Sequence, residues 1–217
     1  VVASEQTAGR GRLERQWISP KDAGLYFSIV LRPRIDPQAL PLLTLMASLA
    51  VREALLESCH VKTDIKWPND VLANGRKLCG ILAETVDTTI GRAVIVGIGI
   101  NLAKDSFPAE LNEIATSVES VTGARPDSER VLEALTSAFA KRYAQLQSAG
   151  GRDAMVRDWS AASSYAEGKR VCVTNASQPL EGITRGLELD GALRVETAAG
   201  EIRIIRAGDV TVKKIDD

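Results

Sequence analysis

Short apolar stretches separated by turn residues dominate the first hundred residues of the chain. Runs rich in β-branched and aromatic residues are typical of strands. The predicted strands lie at 1–5, 25–31, 63–67, 71–73, 77–79 and 92–102. The last is nearly continuous in apolar residues, which predicts a central strand. Asn74-Gly75 separates two short strands and therefore predicts a tight hairpin.

Helical patterns follow two of these strands. Asp36-Pro37 supplies a cap and a first-turn proline for a long apolar helix over 39–58. An amphipathic pattern predicts a second helix over 127–148, closed by Gly150-Gly151. A short third helix is predicted near 152–162.

The pattern changes again near Glu167, where short strands alternate with Gly, Asp and Asn turns. The predicted strands lie at 170–174, 182–189, 193–196, 201–205 and 210–213. Five short strands in so few residues indicate a small barrel. We therefore expect two domains, residues 1–166 and 167–217.

Composition removes several classes of function. The 217 residues carry a net charge of −1, so nothing global steers the protein toward nucleic acid or an anionic membrane. We find no apolar run of the ~18 residues that a membrane helix needs, and no secretory signal. The three cysteines form no Cys-x-x-Cys pair, which predicts reduced, packed thiols in the cytoplasm. The single histidine, His60, supplies neither a catalytic triad nor a zinc site, and it falls where a helix cap is expected.

The densest chemical cluster is the segment from Gln6 to Trp17. Arg10, Arg12 and Arg15 are interleaved with two glycines, so guanidinium groups and bare backbone amides can meet one anion. Trp17 offers a flat face for a purine or an arginine. A solvated basic loop or a nucleic-acid patch is the alternative interpretation of this segment taken alone.

A second cluster is Lys66-Trp67-Pro68-Asn69-Asp70. Proline favours an extended Trp67, so Lys66 is predicted to end a strand just before a sharp turn. Asn69 and Asp70 either cap that turn or, for Asp70, bind a magnesium ion.

Glycines inside strands mark the remaining clusters. Gly80, in the segment from Arg76 to Glu84, indicates close approach of a backbone or a ligand. Gly97-Ile98-Gly99-Ile100-Asn101 opens no helix and so is not a dinucleotide fingerprint. Its glycines leave room for a flat ligand, with Asn101 placed to read an adenine; a strand ending in an Asn turn is the alternative.

The order of these four motifs resembles the biotin protein ligase family, and the resemblance covers essentially the whole chain. It implies an α+β fold: a mixed or antiparallel sheet with helices, like that of class II aminoacyl-tRNA synthetases, followed by an SH3-like barrel. It also implies that the family's upstream Ser-Thr-Asn segment, which contacts biotin, precedes residue 1. Whether a DNA-binding domain lies upstream is left open.

The resemblance implies a role for each matching residue. Lys66, Arg10 and Arg12 would be catalytic, Lys66 by bridging the biotin carboxylate and the phosphate. The biotin contacts would be Gln6, Gly9, Arg10, Gly11, Arg12, Lys66 and Gly80. The ATP contacts would be Arg15, Trp17, Asn69, Lys77 and Asn101. No protein-bound metal is expected.

The implied activity is ATP-dependent biotinylation. Biotin would be activated as biotinyl-5′-AMP and passed to a lysine of a biotin carboxyl carrier domain of the acetyl-CoA carboxylase type, with ATP and magnesium as co-substrate and ion. No tightly bound prosthetic group, membrane or DNA partner is expected, and a homodimer is left open. A lipoate or octanoate ligase shares the reaction logic but is not expected to carry this pair of motifs. A biotin-dependent repressor or a plain nucleic-acid module would instead bind DNA in a salt-sensitive way.

Overall fold

The computed structural model describes residues 1–174 and 179–212. Its first 101 residues supply one six-stranded sheet. The strands are β1 (Val2–Ala3), β2 (Gly24–Leu31), β3 (Asp64–Lys66), β4 (Asp70–Ala73), β5 (Arg76–Thr88) and β6 (Gly91–Asn101). The helices are α1 (Leu42–Cys59), α2 (Val118–Thr122), α3 (Ser128–Leu146) and α4 (Gly151–Ala162).

The first sheet has the order β1-β2-β6-β5-β4-β3, with antiparallel pairing between neighbours. β6 therefore lies between β2 and β5, which confirms the central strand predicted from its apolar run. The hairpin prediction is also confirmed: Asn74 and Gly75 join β4 to β5 with φ angles of 50° and 74°, the positive values that such a two-residue turn requires.

The helices pack together beside this sheet, mainly through contacts of α1 with α3 and α4. Asp36 accepts a hydrogen bond from Gln38 N at 2.9 Å, but it caps a short 3-10 turn, Pro37–Ala39, and α1 starts only at Leu42. The role predicted for Gly150-Gly151 was wrong. Gly150 (φ 74°) lies at the N-terminus of α4 rather than closing α3, because α3 already ends at Leu146 with Gln147 as its cap.

One helical segment corrects the expectation that no apolar stretch reaches membrane-spanning length. Among the described residues, Pro37–Cys59 is long and apolar enough by length and composition. However, 67% of its most apolar window is buried inside the protein, and residues such as Leu42, Met46 and Ala50 have no exposed surface. The segment is the central core helix of the fold.

The second sheet follows α4. Its strands are β7 (Glu167–Thr174), β8 (Leu180–Leu187), β9 (Leu193–Glu196), β10 (Ile202–Ile205) and β11 (Asp209–Val212). They pair antiparallel in the order β10-β9-β8-β7-β11. The five strands predicted from sequence are all present. β9 has the predicted ends and the other four are shifted at one or both ends, and Lys213, which was predicted to end the last strand, lies outside the described residues.

The two sheets share one hydrophobic core. Val171 and Leu193 of the second sheet belong to the same buried cluster as α1 and the first sheet. Trp67, next to the end of β3, donates its indole Nε1–H to Gly191 O at 3.0 Å and is buried. The second sheet is thus packed against the turn that follows Lys66.

Candidate active site

A cavity of about 350 Å³ lies on the face of the first sheet opposite the buried core. Alternation along β6 creates this face. Val96, Ile98 and Ile100 are fully or almost fully buried in the core, whereas Gly97 and Gly99, between them in sequence, line the cavity. Because neighbouring strand residues point to opposite faces, both glycines face the cavity side of the sheet. A Cβ added at Gly97 would meet its nearest neighbours at 3.7 Å, whereas the space above Gly99 is occupied by Trp17.

The indole of Trp17 lies on a platform made by two glycines. Gly80 on β5 is directly opposite Gly99 on β6. A Cβ added to Gly99 would be 2.4 Å from Trp17 Nε1, and one added to Gly80 would be 2.9 Å from Trp17 Cζ3. Lys77 Nζ stands 5.5 Å from the centre of the same ring, within cation–π range. The close approach predicted at Gly80 is therefore made by an aromatic side chain of the protein itself.

Lys66 and Lys77 both contact the carboxylate of Asp70, and all three residues line the cavity. Lys66 ends β3 and pairs in register with Asp70, which begins β4; its position at a strand end confirms the prediction. Asp70 Oδ2 is 3.6 Å from Lys66 Nζ, and Asp70 Oδ1 is 2.6 Å from Lys77 Nζ. The Asp70 side chain is only 15% exposed, so it keeps both ammonium groups at the cavity wall.

The glycine- and arginine-containing loop, residues 6–17, folds back on itself. Trp17 N donates to Gly9 O at 2.9 Å, and Gly11 N donates to Arg15 O at 2.7 Å. A Cβ at Gly9 would be 2.2 Å from Trp17 O, so glycine is needed there for the two segments to approach. Gln6 accepts a hydrogen bond from Ser19 Oγ at 2.8 Å, which fixes the start of the loop.

The loop arginines reach the second sheet as well as the first. Arg12 Nη1 lies 3.3 Å from Asn69 Oδ1, 3.2 Å from Gly208 O and 3.4 Å from Asp209 Oδ1. Arg15 Nη2 is 2.5 Å from Asp209 Oδ2. Burial lowers the pKa of Arg12, and the charges of Asp209 and Asp70 oppose that shift; Arg12 stays a cation at neutral pH because its intrinsic pKa is so high.

Arg10 makes the other attachment of the loop. Its Nη2 is 2.7 Å from Glu84 Oε2 on β5. Both side chains are substantially exposed, so this ion pair contributes little to stability. Arg10 and Glu84 both line the cavity.

Most of the predicted site residues lie together around this cavity. Those that line it are Gln6, Arg10, Gly11, Arg12, Arg15, Trp17, Lys66, Asn69, Lys77 and Gly80. Two predicted residues do not line it. Gly9 lies within the loop's own backbone contacts, and Asn101 is buried with its Nδ2 donating to Thr116 O at 3.1 Å. The amide of Asn101 therefore holds the segment after β6.

The structure adds lining residues that sequence reasoning did not find. Tyr26 and Ser28 alternate along β2, Glu84 lies on β5, and Asp209 and Thr211 come from β11. The period-two pattern of β2 could have identified the first two once the buried face was assigned. Asp209 carried no such signal, because it is almost two hundred residues from the loop it contacts.

The geometry defines an α+β protein with a cavity that is lined by Lys and Arg side chains and lies beside the Gly80–Gly99 platform, an arrangement suited to an anionic ligand. Comparison with known proteins specifies it further. The biotin/lipoate A/B protein ligase family matches residues 1–101, and the biotin protein ligase C-terminal domain matches residues 168–213. The chain belongs to the biotin protein ligase family.

Individual relatives agree with this assignment. The biotin–[acetyl-CoA-carboxylase] ligase of Paracoccus denitrificans is 38% identical over 97% of this chain and 88% of its own length. The bifunctional ligase/repressor BirA of Bacillus subtilis is also 38% identical, and this chain spans 65% of its length. A structure of the Aquifex aeolicus biotin protein ligase in complex with biotin and ATP superposes with a TM-score of 0.83, at 31% identity, over 98% of this chain and 88% of that one. The α+β fold class and the family resemblance are thereby confirmed.

Proposed function

We propose that this chain is the catalytic part of a biotin protein ligase. It would activate biotin with ATP as biotinyl-5′-AMP and transfer the biotinyl group to a lysine of a biotin carboxyl carrier domain. The observation that carries the proposal is the meeting of Lys66, Lys77, Arg12 and Arg15 around one cavity. The Aquifex aeolicus relative, which binds biotin and ATP, supports the choice of ligands.

The proposed chemistry needs cations more than it needs a base. A carboxylic acid with a pKa of ~4–5 is already ionised at neutral pH, so no proton has to be removed before it attacks the α-phosphorus. The obstacle is repulsion between two anions, about 4 kcal/mol for one unit-charge pair at 4 Å and an effective dielectric of ~20. The lysines and arginines of the cavity can offset the repulsion of several such charge pairs. Catalysis would therefore consist mainly of positioning and charge neutralisation.

Ten of the twelve predicted residues line the cavity and keep their roles in this proposal. Lys66, Arg10 and Arg12 would act on the reacting groups, with Lys66 between carboxylate and phosphate. Biotin would contact Gln6, Arg10, Gly11, Arg12, Lys66 and Gly80, and ATP would contact Arg15, Trp17, Asn69 and Lys77. Gly9 and Asn101 would act indirectly, Gly9 by letting the loop fold back on itself and Asn101 by holding the segment after β6.

Magnesium would enter with the nucleotide as the MgATP substrate. Within residues 1–174 and 179–212, no three His, Cys, Asp or Glu side chains are grouped to hold a metal ion. The cavity carboxylates Asp70, Glu84 and Asp209 are each in an ion pair with Lys or Arg. Mg²⁺ is often held by one or two carboxylates plus substrate phosphates. Asp70 is the candidate among these because it lies beside Lys66, where the phosphate would bind, and it would have to exchange a lysine contact for the ion.

The division of the chain also belongs to the proposal. We place the catalytic domain at residues 1–166 and the SH3-like domain at 167–217, a boundary supported by the end of α4 at Ala162 and the start of β7 at Glu167. A cytoplasmic location is supported by the free thiols of Cys59, Cys79 and Cys172. A homodimer and an upstream DNA-binding domain are not needed for the proposed reaction.

Arg12→Ala is expected to speed the escape of biotinyl-AMP about tenfold, since a mixed anhydride survives only while a closed loop excludes water. Stability should change little, because Asp209 keeps Arg15 as a partner. Rapid filtration of protein loaded with the intermediate measures the escape. Arg32→Ala, an exposed arginine outside the cavity, is the control, and equal escape from both variants would contradict the role of Arg12.

The whole proposal is tested by mass spectrometry of a carboxyl carrier domain incubated with this protein, biotin, ATP and magnesium. The expected result is a gain of one biotinyl group on one lysine, with pyrophosphate released only when biotin is present. Modification by lipoate in place of biotin would assign the chain to the other branch of its matched family. No modification by either acid would refute the ligase function.

A further inference from the structure

The strand that ends at Lys66 is attached to the connection between the two sheets. β3 is an edge strand of only three residues and pairs with β4 alone. Short edge strands are the least constrained parts of a sheet, because one row of their backbone groups has no ladder partner. Something other than the sheet must therefore hold Lys66 in place.

Ser163 and Ser164 supply that attachment from the segment between α4 and β7. Ser163 Oγ donates to Ile65 O at 2.5 Å and accepts from Tyr165 N at 3.1 Å. Ser164 N and Oγ donate to the carboxylate of Asp64 at 2.8 Å and 2.5 Å. Ser163 is buried. Removing its hydroxyl would therefore take a hydrogen-bond donor away from the backbone oxygen of Ile65.

Trp67 makes the matching attachment on the other side of Lys66. Its indole Nε1–H binds Gly191 O in the turn between β8 and β9. Gly191 has a φ of 84°, and a Cβ there would be 3.0 Å from Leu45 Cδ1. The turn is therefore packed closely against α1. The residues on both sides of Lys66 are therefore fixed to the later part of the chain.

The side chain of Lys66 is only weakly fixed by its ion pair with Asp70. Its Nζ is 3.6 Å from Asp70 Oδ2, and the same carboxylate makes a shorter contact of 2.6 Å with Lys77. A catalytic cation must stand within a fraction of an ångström of its working position. For Lys66 that accuracy comes from its backbone neighbours rather than from its side-chain pairing.

We infer that Ser163 and Trp67 are positioning residues for adenylate formation, through which the connection and the second sheet set the place of Lys66. The inference rests on the proposed function of Lys66. It assigns the second domain a part in the formation of biotinyl-5′-AMP, although that domain would not contact the reacting atoms.

Ser163→Ala tests the inference by separating kcat from KM. Because a displacement of about 1 Å can cost up to about a hundredfold in rate, we expect kcat of biotin-dependent pyrophosphate release to fall about tenfold, with KM for ATP and biotin changed by less than about twofold. Trp67→Phe, which keeps an aromatic side chain but removes the N–H and part of the buried ring, should show the same split. Ser163→Thr, which restores a hydroxyl, should recover most of the rate.

Ser48→Ala is the matched control for loss of a buried serine hydroxyl. Ser48 is also buried, and its Oγ donates to Leu45 O at 2.6 Å within α1. It should leave kcat unchanged, because its hydrogen bond lies within α1 and Ser48 does not line the cavity. An unchanged kcat in both Ser163→Ala and Trp67→Phe, or an equal fall in Ser48→Ala, overturns the inference. If the unaltered protein releases no pyrophosphate with biotin, the proposed function has failed instead.

Discussion

Replacing Lys66 by alanine is expected to lower the rate of biotin adenylation by about a thousandfold. Removal of one preorganised group that stabilises developing charge costs about 10²–10³ in rate, and Lys66 would serve two anions at once. Its side chain is 25% exposed at the cavity wall, where reduced solvent screening strengthens the effect of the ammonium on nearby charge. Single-turnover formation of biotinyl-AMP, followed by rapid quench, measures the chemical step directly.

Stability should hardly change in the same variant. A partly exposed ion pair contributes ~0–1 kcal/mol to the free energy of unfolding, and Asp70 retains Lys77 at 2.6 Å. Lys62→Ala, which removes an exposed lysine just before β3, is the control for net charge. Turnover of Lys66→Ala within about tenfold of the unaltered protein would remove Lys66 from the catalytic set, since positioned charge is worth far more than that.

Elements whose conformation is decided locally were predictable from the sequence. The Asn74-Gly75 turn needs positive φ at both residues, a requirement that those two residue types meet at little cost. The apolar run of β6 similarly indicated a strand buried in the middle of its sheet. The position of Lys66 followed from Pro68, which limits the residue before it to extended conformations.

Features that depend on distant contacts were not predictable in this way. Gly150 could as well end a helix as begin one, and only the packing of α4 decides between them. Asn101 ends a strand beside a glycine pair, yet its amide faces Thr116 and the following segment rather than the cavity. Asp209 reaches Arg12 and Arg15 only because β11 is the edge strand next to β7, which no local pattern encodes.

The two glycines of β6 should respond differently to the same small change. Gly99→Ala would place a methyl group 2.4 Å from Trp17 Nε1, a distance that forces the indole off its platform. Gly97→Ala meets its nearest neighbours, Leu82 O and Ser28 Oγ, at 3.7 Å, an ordinary van der Waals contact. We therefore expect Gly99→Ala to raise the KM for ATP by about tenfold or more, the scale of one lost aromatic stacking contact, and Gly97→Ala to leave it nearly unchanged.

A double variant shows whether displacement of Trp17 causes the expected rise in the KM for ATP. Residues in contact give non-additive changes, so adding Gly99→Ala to Trp17→Ala should cause no further rise in the KM for ATP. Quenching of tryptophan fluorescence gives an independent measure, because Trp67 and Trp159 are buried and only the displaced Trp17 should become more accessible. A normal KM for ATP in Gly99→Ala together with stronger quenching of Trp17 would show that the indole can leave the Gly80–Gly99 platform without harm, and the assignment of Trp17 to the nucleotide would then be wrong.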